Sequence, residues 1–329
     1  MRPELSPPVP PETRPRRAWR VSPTLTALAA LLALTVFNIF FTANFLTLRT
    51  LNVNLTQVAT VAIVGVGMTL VIATGGIDLS VGSLMAISGA LAPILFTYPG
   101  WSPAVGLTLA FLLPVLAAGA GGLFNGLLVT RFRIQPIIAT LILYIAGRGI
   151  AQVMTNGNLQ SFRNPAFETI AYGRFLGLPF QVWLMLAITL GAAWLVRATV
   201  FGRYLLAVGG NEAAARLVGV PVGRVKLAVY GLSGLLAGVA GLVVVAINRS
   251  SDANQVGLNM ELDAIAAVAV GGTALTGGRA YVIGTLLGAC ILQLIRYTLL
   301  ARGVPDAAAL VVKAAIIIAA VYFLRPRRG

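Results

Sequence analysis

The sequence predicts an all-α polytopic membrane protein with about ten transmembrane helices. Hydrophobic residues make up 58% of the chain and charged residues only 10%, against about 25% charged in soluble domains. The apolar residues form long runs, most of them close to the roughly 20 residues that a helix needs to cross the hydrocarbon core. None of the nine acidic residues lies in the interior of such a run.

The predicted spans follow one another from the first apolar run to the C-terminus. They cover residues 25–45, 52–74, 79–97, 104–129, 134–155, 178–196, 226–247, 262–277, 280–301 and 307–324. Residues 1–24 are predicted to be a disordered, basic cytoplasmic tail, because a segment so rich in proline and arginine buries too little apolar surface to order itself. Residues 25–329 then form one membrane domain.

The distribution of lysine and arginine predicts the orientation of the spans. With ten spans and a cytoplasmic N-terminus, sixteen basic residues fall on the cytoplasmic side and five on the outer side, as the positive-inside rule requires. Nine or eleven spans would place the basic C-terminus outside. If the spans group as one, four, one and four, spans 2–5 and 7–10 enter with opposite orientations and would form an inverted repeat.

The residue types that the chain lacks exclude most catalytic chemistry. It has no histidine and a single cysteine, Cys290, which removes the usual general base, the commonest metal ligand and any disulfide framework. No Walker A motif occurs, so ATP phosphates have no P-loop to bind. Most of the basic residues that give the net charge of +15 lie outside the spans, where arginines set the topology. We therefore expect no enzyme, no nucleic-acid partner, no metal and no cofactor.

Residues 74–83, TGGIDLSVGS, predict a sharp turn between the second and third spans. Gly75 and Gly76 break the second span, and Asp78 then stands where a helix begins, able to accept hydrogen bonds from free N–H groups. Either the turn is part of a cytoplasmic gate, formed by Gly75, Gly76, Asp78 and Ser80, or Asp78 is a plain helix N-cap. Both interpretations remain open from the residues alone.

A second short segment, AVGGNEAAARLVGVP over residues 207–221, predicts a small helix in the cytoplasm between two spans. Asn211 is a good N-cap, Glu212 lies in the first turn, and Gly219 and Pro221 end the helix. A helix with an alanine face has little core to fill, which suits insertion into a groove on another protein. The alternative is an ordinary amphipathic loop helix.

The fifth span carries polar residues at helical spacing. One face contains Thr140, Tyr144, Arg148, Gln152 and Thr155, since these recur at steps of three or four residues. A charged group inside a span is costly unless it faces water or a partner. The stripe either lines a path for hydroxyl-rich sugars or lets Arg148 bind backbone carbonyls and hold the bundle. Asn125 in the fourth span is a further candidate for the path.

Four motifs resemble permease subunits of ATP-binding-cassette importers. NEAAARLVGV, from Asn211, resembles their coupling segment, and TGGIDLSVGS resembles the matching turn in the ribose-type branch of sugar importers. ELDAIAAVAVGG, over residues 261–272, also resembles that branch. IQPIIATLILYIAGRGIAQ, over residues 134–152, is more similar to the galactofuranose-type permeases.

The resemblance implies a non-catalytic permease subunit in a bacterial inner membrane, moving a monosaccharide such as galactofuranose. Its partners would be ATPase subunits, a second permease, identical or different, and an extracytoplasmic sugar-binding protein. Residues 197–225 would be the coupling segment, with contacts to the ATPase from Gly210, Asn211, Glu212, Ala213, Ala214, Arg216 and Gly219. The alternative is a stand-alone secondary transporter coupled to an ion. Proton coupling usually needs an acid or histidine inside the membrane, whereas sodium coupling through carbonyls and hydroxyls remains open.

Overall fold

The computed structural model describes residues 22–323, which are almost entirely helical. The helices are α1 (Pro23–Phe41), α2 (Leu48–Ala73), α3 (Val81–Phe96), α4 (Pro103–Thr130), α5 (Pro136–Met154), α6 (Pro165–Tyr172), α7 (Phe180–Ala198), α8 (Val200–Gly210), α9 (Glu212–Leu217), α10 (Val222–Asn248), α11 (Met260–Val270), α12 (Val282–Ala301) and α13 (Asp306–Phe323). Four two-residue strands complete this part of the chain: β1 (Gln160–Ser161), β2 (Arg174–Phe175), β3 (Leu178–Pro179) and β4 (Ser250–Ser251).

Ten of these helices fall on the ten predicted spans in the predicted order. Seven of them, α1, α2, α4, α5, α7, α10 and α12, are long and apolar enough to cross a membrane. The all-α polytopic class is therefore confirmed. Residues 1–21 of the predicted tail and residue 324 of the last predicted span lie outside the described residues.

Two predicted boundaries are wrong for local reasons. The first helix begins at Pro23, inside the predicted tail, because Ser22 caps it and a proline suits the first helical position. At the eighth predicted span, 262–277, the structure has only the 11-residue helix α11, which begins at Met260 and ends at Val270. The two glycines that follow stop it, and Gly272 has a φ of +88°, a conformation that glycine adopts without strain.

Close contacts between glycines hold the centre of the bundle together. Gly122 in α4 lies against α10, where an added Cβ would come within 2.2 Å of the Tyr230 carbonyl and 3.0 Å of Gly234 Cα. Likewise, a Cβ on Gly241 of α10 would lie 2.5 Å from the Met85 carbonyl in α3. Small residues of this kind let helix backbones approach closely in a membrane, where van der Waals packing drives association.

The architecture contains two similar helix pairs. The 26-residue α2 is followed by a non-helical return, residues 74–80, and the 16-residue α3. The 27-residue α10 is followed by residues 249–259, which contain no helix, and the 11-residue α11. Each long helix packs against the short helix of the other pair, α10 against α3 and α2 against α11, and also against the helix that follows it, α4 and α12 respectively.

The short helices α3 and α11 begin next to one another. A Cβ on Gly82, in the first turn of α3, would lie 2.2 Å from the Gly257 carbonyl and 2.7 Å from Glu261 Oε2. Gly257 lies three residues before α11, and Glu261 lies in its first turn. The N-termini of two broken segments therefore meet inside the bundle, and only glycine fits at their contact.

Helix α6 and the strands cover the end of α10. The strands β1 and β4 pair antiparallel, as do β2 and β3. Glu168 of α6 accepts the Asn164 backbone N–H at 3.0 Å and forms an ion pair with Arg249 at 2.8 Å. The Tyr172 hydroxyl donates to the Ile247 carbonyl at 2.6 Å. These contacts fix the point where α10 ends and residues 249–259 begin.

Candidate functional site

The return between α2 and α3, residues 74–80, is organised by a buried carboxylate. Asp78 is 0% exposed, and its Oδ1 accepts hydrogen bonds from the Ser80 backbone N–H at 3.0 Å and from Ser80 Oγ at 2.7 Å. Its Oδ2 accepts a hydrogen bond from Ser233 Oγ of α10 at 2.8 Å. The N-cap position of α3 belongs to Ser80. The interpretation of Asp78 as a plain N-cap is therefore wrong, because this side chain ties the return to α10.

Two other predicted residues pack around the same return. Asn125 of α4 is fully buried and donates from Nδ2 to Ser80 Oγ at 2.8 Å. Thr140 of α5 is also fully buried and hydrogen bonds to the Pro136 carbonyl at 2.9 Å, with a longer contact of 3.4 Å to the Ile77 carbonyl. The structure therefore brings two of the predicted path residues to the predicted gate.

The two glycines of the return serve different purposes. Gly75 has a φ of +80°, which glycine adopts at no steric cost. Gly76 lies against the buried Tyr230 ring of α10, where a Cβ would come within 2.5 Å of the hydroxyl oxygen. The return can pass beneath Tyr230 only with glycine at this position.

A junction of three backbone segments connects this return with α8. The junction consists of Ala73, Gly75, Gly209, Gly277 and Gly278. The Gly278 N–H donates to the Ala73 carbonyl at 3.0 Å, and a Cβ on Gly209 would lie only 1.8 Å from that carbonyl. Gly277 and Gly278 both have positive φ values, +88° and +78°. The end of α8 is therefore in direct backbone contact with the end of α2 and with the α11–α12 connection.

Helix α9 follows α8 and presents an exposed surface. Asn211 caps it as predicted, accepting the Ala214 N–H at 3.0 Å. Ala213, Ala214 and Arg216 are exposed, and Leu217 and Val218 are 88% and 79% exposed. Gly219, with a φ of +81°, follows the end of the helix as expected. A small apolar surface thus projects beyond the junction.

The prediction for the segment before α9 is incomplete. The sequence predicts one short helix between residues 197 and 225, but α8 precedes α9 and includes Gly209 and Gly210 at its C-terminal end. Glu212 fixes α9 to the start of α10 through an ion pair with Lys226 at 2.5 Å, and it forms a second ion pair within α9, with Arg216 at 2.6 Å. Burial raises the pKa of Glu212, but hydrogen bonds from Lys226 and Arg216 outweigh it and hold that pKa below its ordinary value.

The polar stripe of α5 faces residues 249–259. Arg148 donates from Nη1 to the Ala253 carbonyl at 2.7 Å and to the Val256 carbonyl at 2.6 Å. Gln152 donates from Nε2 to Asn254 Oδ1 at 2.7 Å. Tyr144 is half-buried on the same helix face. Of the two interpretations of Arg148, the geometry matches the one in which its guanidinium binds backbone carbonyls.

Sequence reasoning missed three contributors to these contacts. Ser233 and Tyr230 come from the seventh predicted span, 226–247, in which no site residue is predicted. Residues 249–259 lie between the seventh and eighth predicted spans, and Gly257 reaches the start of α3. The only signal was local: a run of polar residues stands directly before an unusually short span.

Comparison with known proteins assigns the class. A family model described as "Branched-chain amino acid transport system / permease component" matches residues 51–321. The ribose import permease protein RbsC of Escherichia coli strain K12 is 42% identical over 313 residues, covering 93% of this chain and 94% of RbsC. The chain belongs to this permease family.

Further relatives name other sugars. The galactofuranose transporter permease protein YtfT of Escherichia coli strain K12 is 44% identical over 265 residues, covering 80% of this chain and 76% of YtfT. The L-arabinose ABC transporter permease protein AraH of Azospirillum brasilense is 36% identical over 302 residues, covering 92% of this chain and 86% of AraH. The family description names a different cargo from these relatives, so membership fixes the permease class and leaves the cargo open.

Proposed function

We propose that this chain forms the translocation path of an ATP-driven monosaccharide importer in the bacterial inner membrane. Partner ATPase subunits hydrolyse the ATP, and an extracytoplasmic binding protein delivers the sugar. The observation that carries this proposal is the junction at Gly209. There the exposed surface around α9 is connected through α8 to the return of residues 74–80.

The topology follows from the same proposal. The ten predicted spans each cross the membrane, the 11-residue α11 doing so together with the non-helical residues 249–259 before it, and both termini lie in the cytoplasm. The α2–α3 and α10–α11 pairs belong to an inverted repeat of spans 2–5 and 7–10. Three features support the repeat: a long helix, a non-helical return and a short helix in each pair, cross-packing of the two halves, and the meeting of the two short helices at Gly82.

Coupling begins at the exposed surface around α9. The ATPase subunit docks on a surface that includes Gly210, Asn211, Glu212, Ala213, Ala214, Arg216 and Gly219, together with Leu217 and Val218. Closure of the ATPase pushes α9, whose ion pair from Glu212 to Lys226 pulls on α10. The motion also passes along α8 to the Ala73 carbonyl.

The gate is the return of residues 74–80. Gly75 supplies the turn, and Gly76 leaves room for the Tyr230 ring. Asp78 accepts a hydrogen bond from α10, and Ser80 accepts one from Asn125. Because one end of the return touches α8 and the other starts α3, a shift of α8 moves the start of α3. The path continues along Thr140, Tyr144 and Gln152 on α5, with Arg148 beside it bound to the Ala253 and Val256 carbonyls. A second permease, identical or different, closes the path on its open side.

The first test is reconstitution. The chain, its ATPase subunits and its binding protein in proteoliposomes should accumulate labelled ribose, arabinose or galactofuranose only when ATP is present. The chain alone should accumulate none. Accumulation by the chain alone would contradict the proposal and identify a secondary transporter.

A matched pair of substitutions tests the junction. Gly209→Ala places a methyl group 1.8 Å from the Ala73 carbonyl oxygen, and since backbone cannot yield cheaply, about 3 kcal/mol of overpacking is expected. Gly191→Ala, on α7 outside the coupling segment, adds the same methyl group where nothing lies within 4 Å. The first variant should lose ATP-driven uptake while its ATPase subunits remain bound, and the second should keep it. Equal uptake by both variants would remove the junction from the coupling route.

A further inference from the structure

We propose that residues 252–259, which we call the amide loop, form a polar site for sugar hydroxyls deep inside the membrane. This inference rests on the proposed transport function and names the surface that the sugar meets within the path. The loop carries Asn254, Gln255 and Asn259, all exposed. It was not among the residues predicted to line the path.

The depth of the loop follows from its contacts with α3. Phe96 is the end of α3 that points away from α9. At 1.5 Å per residue, Gly89 lies about 10 Å and Gly82 about 21 Å from that end. A Cβ on Gly89 would lie 3.7 Å from Ser251 Oγ, and a Cβ on Gly82 would touch the Gly257 carbonyl. The chain between Ser251 and Gly257 therefore descends well into a hydrocarbon layer about 30 Å thick.

Exposed amides at this depth need water or a polar partner. Irregular backbone in the hydrocarbon region is tolerated only where it is buried in protein or lines an aqueous cavity. The amide loop folds into turns instead of a continuous helix, with the Val256 N–H donating to the Asp252 carbonyl at 2.9 Å, and its asparagine and glutamine side chains are exposed. Lipid cannot cover such a surface, so we assign the loop to the wall of the water-filled path.

The loop is held in place from beneath. Arg148 Nη1 binds the Ala253 and Val256 carbonyls, while Gln152 binds Asn254. Arg148 is thus a positioning residue for the loop. Its Nη2 and the Oε2 of Glu261 are buried and have no hydrogen-bond partner among residues 22–323. Glu261 is only 5% exposed. Arg148 Nη2 and Glu261 Oε2 are therefore a donor and an acceptor that remain available for a ligand beside the buried side of the loop.

The chemistry of this surface matches a polyol. Each sugar hydroxyl is one donor and an acceptor of two hydrogen bonds, and each amide side chain offers both donors and an acceptor. Neutral amides bind hydroxyls without the cost of desolvating a charge, and individually weak hydrogen bonds let a substrate leave again. A site built on hydrogen bonds to hydroxyls also discriminates against analogues that lack them.

Thiol labelling tests the placement independently of transport. In a Cys290→Ala background, which removes the only native cysteine, Asn254→Cys and Gln255→Cys are compared with Leu116→Cys. Leu116 is 50% exposed on α4 and lies in an all-apolar groove. The assembled transporter is treated with a charged, membrane-impermeant thiol reagent. The two loop variants should react at least about tenfold faster than the control, because a thiol in apolar surroundings ionises poorly.

Sugar contact is tested by two readouts. Saturating sugar with its binding protein and ATP should slow labelling of Asn254→Cys and Gln255→Cys. Asn254→Leu and Gln255→Leu should each reduce sugar uptake about tenfold, the loss of one hydrogen-bonded contact, with ATPase activity retained. Leu262→Met, at an exposed position of α11 outside the amide loop, should change neither sugar uptake nor ATPase activity.

Three outcomes separate the possibilities. Labelling of the loop as slow as that of Leu116→Cys would overturn the proposal and place the loop in a protein interface. Fast labelling with unchanged sugar uptake in both leucine variants would overturn the sugar contact. A wild-type complex that labels as expected but imports no sugar would contradict the proposed function and not the aqueous exposure of the loop.

Discussion

At the scale of single residues, Asp78 matters because it joins segments that are far apart in the sequence. Its two carboxylate oxygens accept hydrogen bonds from Ser80 and from Ser233, 155 residues away. A buried carboxylate is stable only when its oxygens are hydrogen-bonded. The return of residues 74–80 therefore holds its position through three donors, one of which belongs to α10.

Removing one donor gives a testable consequence. Ser233→Ala deletes a hydrogen bond to a buried carboxylate, which should destabilise the protein by about 2 kcal/mol and loosen the return. Ser88→Ala is the matched control, since Ser88 Oγ also joins α3 to α10, donating to the Gly238 carbonyl at 2.7 Å, but lies away from the return. The midpoint temperature of thermal unfolding should fall for both variants, whereas ATP-driven uptake should fall only for Ser233→Ala. If uptake fell equally in both, loss of stability would explain the effect and Asp78 would have no gating role.

At the scale of elements, the sequence was informative wherever a local property decides the structure. Span length and apolar content located ten helices, and Asn211 and Gly219 located α9. The sequence did not reveal α8, because its residues continue from the α7 span without a strong stop and its glycines suggested a break. Position 209 requires glycine because any Cβ there would collide with the Ala73 carbonyl. No local sequence pattern indicates this contact.

The same distinction applies to the candidate site. The helical spacing of Thr140, Arg148 and Gln152 identified one face of α5 correctly. What that face meets depends on residues 249–259 entering the bundle, which requires the contact between Gly82 and Gly257. Non-local packing of this kind has no periodic signature, so the partners of the stripe could be found only in three dimensions.

Helix α9 supports a prediction about docking. Leu217 is 88% exposed, and burying such a side chain against the ATPase should contribute about 2 kcal/mol. Leu217→Glu should therefore weaken capture of the ATPase subunit about thirtyfold, measured by titrating detergent-solubilised permease. Leu176→Glu, at an exposed position in the β2–β3 turn, is the control and should leave capture unchanged. Unaltered affinity in Leu217→Glu would exclude α9 from the docking surface.

At the scale of the whole molecule, the two helix pairs determine how the protein can move. Each short helix begins where the other begins, at Gly82 and near Gly257, and each long helix packs on the opposite half. A displacement that opens one pair must therefore change the packing of the other. Such a linkage between opposed halves is what alternating access requires, and it depends on α2 and α10 running in opposite directions across the membrane.

The orientation of the chain is the last prediction. If both termini are cytoplasmic, α9 lies on the cytoplasmic side and the segment after α5 lies on the outer side, because a single span, α7, separates them. In the Cys290→Ala background, Ala213→Cys should react with an impermeant thiol reagent only in inside-out vesicles, and Asn158→Cys only in right-side-out vesicles. Both positions are exposed, and the vesicles contain the permease without its ATPase subunits, so the orientation of the chain alone decides the result. Labelling of both positions from the same side would show that no span crosses the membrane between α5 and α9. The two halves would then not have opposite orientations, and the coupling route depends on those orientations.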